Sequence, residues 1–267
     1  MTRVCLSAAL VLIAATQAQA KLEIQNIQAA HGPLGPERKS LDCYPFDEVF
    51  FRYVVTGAKV DEAGKVDAEL AIKLTDTKGT VLFHDAAPIS GVLALGGGSF
   101  PGTAQVTLND KIPPGKYILT VTIKDNLLSQ EASFRRELNL KPVEFAIVSP
   151  RFFYDPEAKV PAPVGGLTSQ TLYFNLLGVG FDRSQAKIDT EMQVQLFDQE
   201  GRGMMPRPIQ APVRSNDPDI VKQAPHLTFR GQMALNRAGD FTLRITITDR
   251  VGKQTATFEA PLHVTAP

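Results

Sequence analysis

Apolar and polar residues alternate with a period of two along much of the chain. Tyr117, Leu119, Val121 and Ile123 interleave with Ile118, Thr120, Thr122 and Lys124, and Phe241, Leu243, Ile245 and Ile247 interleave with Thr242, Arg244, Thr246 and Thr248. Such alternation, rich in β-branched residues, predicts strands with one buried and one wet face. Val66, Ala68, Leu70, Ile72 and Leu74 repeat it, with Asp67, Glu69 and Lys73 outward. Phe50–Val55 and Leu172–Leu177 are more continuously apolar, which predicts central strands. No long segment has helical periodicity; Pro218–Ala224 has room for one turn. Asp76-Thr77-Lys78-Gly79 and Asp198-Gln199-Glu200-Gly201 predict hairpin loops, with Gly free to take positive φ.

The pattern is written twice. Lys65–Gly79 recurs without a gap as Lys187–Gly201, with Lys, Asp, Glu, Leu, Asp and Gly identical. Gly115–Asp125 recurs as Gly239–Asp249, and the match runs on through Gln130/Gln254, Phe134/Phe258 and Leu138/Leu262. This predicts an all-β protein of two tandem antiparallel β-sandwiches, at residues 21–141 and 142–267, with about seven strands each. Only Lys141 and Pro142 lie between the repeated blocks, so the hinge should be restricted.

Pro114–Val121 and Ala238–Ile245 resemble the Gly-x-aromatic opening of the penultimate strand of Ig-like domains. The hairpin and last strand that follow (Gln130–Leu140, Gln254–Val264) are similar to the close of bacterial extracytoplasmic Ig-like modules. The resemblance implies tandem Ig-like sandwiches. Departures from it are the missing Trp and Cys pair, and Phe241 in place of a tyrosine, which leaves a tyrosine corner open only to Tyr117.

Residues 1–20 read as a secretory signal. Arg3 precedes the apolar run Val4–Ala15, and Ala18-Gln19-Ala20 offers small residues for cleavage. Twelve apolar residues fall short of the roughly 20 that span a bilayer, so the mature chain is expected without membrane insertion, in the periplasm or outside the cell. Lys+Arg and Asp+Glu are both 28, which argues against nucleic acid as a partner. Of the two cysteines only Cys43 survives cleavage, in apolar surroundings that suggest a buried, inert thiol.

Candidate chemistry is sparse. The four histidines have no metal-ligand spacing, and no Gly-x-Ser-x-Gly occurs. Gly96-Gly97-Gly98 lacks the Lys and helix of a phosphate loop and reads as a turn. Asp67 and Glu69, like Asp189 and Glu191, put two carboxylates on one strand face. They suit a solvated face, and acid–base work or Ca²⁺ binding stays open. Arg151, Phe152, Phe153 and Tyr154, taken as a loop after a strand, have the composition of an interface; the other reading is a plug for the sandwich or its seam. The expectation is a non-enzymatic protein without cofactor or metal, binding an unidentified protein or envelope component. The alternatives are a carbohydrate-binding accessory protein and a hydrolase built on the paired acids.

Overall fold

A computed structural model describes residues 21–267; the signal expected at 1–20 lies outside the described residues. The first half contains β1 (Glu23–Ala30), β2 (Asp42–Cys43), β3 (Glu48–Thr56), β4 (Lys65–Asp76), β5 (Val81–Val92), β6 (Phe100–Thr107), β7 (Gly115–Asp125) and β8 (Gln130–Leu140). A three-stranded sheet, β1-β3-β6, packs on a five-stranded sheet, β2-β8-β7-β4-β5. The second half contains β9 (Ala146–Phe153), β10 (Gly165–Leu167), β11 (Thr171–Val179), β12 (Ile188–Phe197), β13 (Ile209–Ser215), α1 (Pro218–Gln223), β14 (Leu227–Ala234), β15 (Gly239–Asp249) and β16 (Gln254–Thr265). Its sheets, β9-β11-β14 and β10-β16-β15-β12-β13, repeat the same order strand for strand.

Each half therefore has eight strands where about seven were expected. The shortest are β2 and β10, of 2 and 3 residues, too short to carry a period. They also pair parallel to β8 and β16, whereas every other ladder is antiparallel. The apolar runs do form the central strands β3 and β11. The short helix α1 falls where one turn was expected, capped by Asp217, whose carboxylate accepts from Asp219 N and Ile220 N.

The repeat reaches individual hydrogen bonds. In the first turn Asp76 Oδ1 accepts from Lys78 N and Thr80 N, both at 2.8 Å; in the second, Asp198 Oδ1 accepts from Glu200 N and Arg202 N at 3.1 and 2.8 Å. Gly79 and Gly201 take φ of 89° and 78°, where a side chain would be strained. Asp125 and Asp249 end their strands fully buried. Lys59 N and Asp182 N donate to them at 2.7 Å, and Leu127 N and Val251 N at 2.9 and 3.0 Å. These N–H donors offset the cost of burying a carboxylate. Tyr53 lies across Gly102, its cross-strand neighbour, and Phe174 lies likewise across Gly231. Each glycine leaves its aromatic ring the space that a Cβ would fill, at 2.2 Å.

The outer edge strands also agree. Pro88 on β5 faces Glu69, and Pro212 on β13 faces Glu191. A proline has no N–H to offer an incoming strand. On β5 the neighbouring Ala86 N–H is already taken by Asp85 Oδ1 at 3.0 Å.

Each half has its own core, and a smaller cluster of Ala146, Val148 and Val179 with Tyr44, Phe46 and Leu177 joins them. Polar contacts flank this seam. Ser149 Oγ donates to Phe46 O at 2.9 Å, and Ser149 N donates to Asp47 Oδ1 at 3.3 Å. Asp47 also pairs with buried Arg38 at 2.7 Å. Arg151 pairs with Glu48 and lies 5.3 Å over the Phe50 ring. His31 meets Phe258 edge-on at 5.3 Å, and Phe46 meets His226 at 5.1 Å. These contacts join the two halves in addition to the covalent Lys141-Pro142 link.

Candidate functional site

Arg151, Phe152 and Phe153 do not lie in a loop, as the sequence suggested. They are the last residues of β9, which continues because Phe152 pairs with Phe174 and Phe153 with Tyr173 on β11. Strand alternation then separates them. Phe152 enters the second core, 6.4 Å from Phe174, so for this residue the plug reading holds. Arg151 turns to the seam. Phe153 is buried on the opposite face from Phe152, beneath a loop tied by the Phe153–Pro161 bridge. Only Tyr154, 44% exposed, reaches solvent as a large apolar group. The four residues therefore do not make one interface patch.

What they border is a hollow on the outer face of β9-β11-β14. Phe153, Tyr173, Asn175, Arg230, Gln232 and the Asp155–Ala158 turn enclose about 310 Å³. Tyr154 and Tyr173 continue the surface past Gln170 and Thr171. Asp155 holds the rim in shape, its carboxylate accepting from Lys159 N at 3.0 Å and Val160 N at 2.6 Å. These backbone donors, Lys159 first, keep it below the usual carboxylate range. Arg230 is exposed and has no acidic partner among the described residues. Tyr173 and Asn175 were not singled out from sequence. The signal was present: in Leu172–Leu176 they occupy the parity opposite the buried Leu172, Phe174 and Leu176.

The acidic pairs go different ways. Asp67 and Glu69 are exposed, and Asp67 accepts from Asn126 Nδ2 at 2.9 Å. In the second copy Asp189 pairs with Arg214 at 3.2 Å and Glu191 with Arg250 at 2.7 Å. Glu191 is buried, unlike its counterpart Glu69, and also accepts from Gln193 Nε2 at 2.9 Å. The described residues bring no three His, Cys, Asp or Glu together as a metal site, and no helix among them is long and apolar enough to cross a membrane. His263 is exposed, beside Asp240. Cys43 is fully buried, and burial pushes its thiol up to about 12, so it stays protonated at neutral pH.

No family model and no curated protein matches the chain. A crystal structure of red sea bream transglutaminase is 8% identical, over 92% of this chain and 31% of its own, at a TM-score of 0.28. Dimeric latent PorU from Porphyromonas gingivalis is 12% identical, over 94% of this chain and 21% of its own, at a TM-score of 0.37. The chain spans under a third of the length of either of these larger proteins.

Proposed function

We propose that the chain is an exported, non-catalytic protein of two tandem Ig-like sandwiches, periplasmic or extracellular, that holds a protein or envelope partner. The observation that carries this reading is the outer face of β9-β11-β14, where Tyr173 and the exposed Arg230 line a hollow and Tyr154 lies on the adjoining surface beside Tyr173. Tyrosine and arginine are the residues that most often anchor an interface, because each offers apolar area with a polar handle. The Ig-like reading is supported by the strand order common to both halves and by Tyr117, whose hydroxyl donates to Pro113 O at 2.5 Å, four residues upstream. The arginine partners of Asp189 and Glu191 favour a structural use of those acids over a catalytic one.

One observation favours a second reading, carbohydrate binding. Asn175, Gln232 and Gln170 place side-chain amides around Tyr173, and amides match the paired donors and acceptors of sugar hydroxyls. The test is a Tyr154→Ala, Arg230→Ala double variant, immobilised and exposed to the native envelope fraction. Loss of a wild-type partner, with the melting temperature within a few degrees, is expected. Unchanged capture would remove this face from consideration. Retention of an isolated polysaccharide by the wild type, lost in the variant, would select the carbohydrate reading.

A further inference from the structure

The two halves share one topology, so the place where they part is informative. After the Asp76–Gly79 turn, β5 resumes its ladder at Val81; after Asp198–Gly201, β13 does not resume until Ile209. The intervening segment is held to β12 by the Phe197–Gly203 bridge and by Met204 N donating to Leu196 O at 2.8 Å. It carries Met204, Met205, Pro206 and Arg207.

Beside this segment the second core is open where the first is sealed. Leu74 and Tyr117 are 0% and 5% exposed, whereas their counterparts Leu196 and Phe241 are only partly buried. The resulting hollow, about 680 Å³, runs between the sheets. Buried Met233, Leu235, Leu262 and Val264 line its interior, while the partly exposed Met204 and Met205 line it from the diverged segment. Arg207 and Arg237 are exposed at its mouth, and neither has an acidic partner among the described residues.

Volume, lining and charge specify a ligand class. A concave, mostly apolar space of this size holds a small organic molecule. Unbranched thioether side chains adapt to a flexible hydrocarbon better than branched ones do. Two guanidiniums at the rim match a carboxylate, which they bind through charge-assisted hydrogen bonds. We propose that this hollow binds a single-chain amphipathic carboxylate, its tail between the sheets and its head group between Arg207 and Arg237.

The methionines provide the assay. Met204, Met205 and Met233 line the hollow, whereas Met192 is 1% exposed in the core and does not. With ¹³C-methyl-labelled methionine, dodecanoate below its micellar concentration should shift the three lining resonances by NMR and leave Met192 in place. An Arg207→Gln, Arg237→Gln variant should bind dodecanoate about tenfold more weakly at low salt, equivalent to about 1.4 kcal/mol, with dodecanol affinity unaltered. No shift at the lining methionines, an equal shift at Met192, or a variant affinity within twofold of wild type would each overturn the proposal.

Discussion

Asp47 is the most exacting test of how the two halves are joined. Its carboxylate accepts from Arg38 Nη2 at 2.7 Å, with side-chain exposures of 7% for Arg38 and 3% for Asp47, and from Ser149 N across the seam at 3.3 Å. Asp47→Ala leaves the Arg38 cation buried without a counter-charge. Breaking a buried pair in this way costs about 3–5 kcal/mol. Arg38 retains two carbonyl acceptors, Ser40 O at 2.8 Å and Asp42 O at 2.6 Å, which put the cost near the lower figure. With a urea slope of about 1–3 kcal/mol per molar, the unfolding midpoint should fall by about 1–3 M. Adding Arg38→Met to Asp47→Ala removes the stranded cation and should recover part of the loss. Equilibrium urea melts of the three proteins decide the matter. A midpoint shift under about 0.5 M for Asp47→Ala, or a double variant no better than the single, would refute a buried, coupled pair.

Other outcomes follow from residues already placed. Burial, with the Arg38 charge second, lowers His31 from 6.5 to about 4, so its neutral form is favoured in the fold. The unfolded chain takes up that proton first on acidification. Stability present above pH 6.5 should therefore drain away between about 6.5 and 4, by no more than about 3 kcal/mol; His31→Gln should flatten that stretch of the pH–stability curve, and an unaltered slope would count against it. Phe152→Ala should cost about 3–5 kcal/mol of stability, whereas Tyr154→Ala should stay within about 0.5 kcal/mol; thermal melts with equal losses would contradict the assigned burial. Gly231→Ala would set a Cβ 2.2 Å from the Phe174 ring, while Gly91→Ala meets nothing within 4 Å. The first should lose about 1–3 kcal/mol in a urea melt and the second well under 1 kcal/mol; similar losses would show that the ring does not occupy that space.

Much of this architecture was legible because it depends on local chemistry. Alternation in Val66–Leu74 located β4 and its buried face, and the Asp-x-x-Gly turns located both hairpins. The doubled sequence anticipated the doubled topology. What was hidden depends on contacts distant in sequence. Nothing local in Arg151-Phe152-Phe153 says that β9 runs on to pair with β11, so in sequence the segment resembles a loop. Glu191 looks as exposed as Glu69 until Arg250 closes over it. Buried Arg38 gives no sign of itself in sequence, because its partner lies nine residues on and its shelter is tertiary. The open core of the second half was likewise invisible. Leu196 and Phe241 occupy the same alternating positions as Leu74 and Tyr117, but line a hollow beside Met204–Arg207.

The prolines opposite Glu69 and Glu191 bear on the order in which such a chain folds. Two neighbouring copies of one strand pattern are each other's nearest misfolding hazard, since a late strand of one can substitute for its twin in the other. A finished first sandwich with a bare twelve-residue edge would offer the unfolded second copy a template at very high local concentration. Pro88 interrupts that template near its middle, and the occupied Ala86 N–H shortens it further. The second copy is left to pair with itself, and Pro212 then denies the same invitation to the next molecule. The doubled fold thus carries, at one ladder position in each copy, a residue with no N–H to extend the sheet.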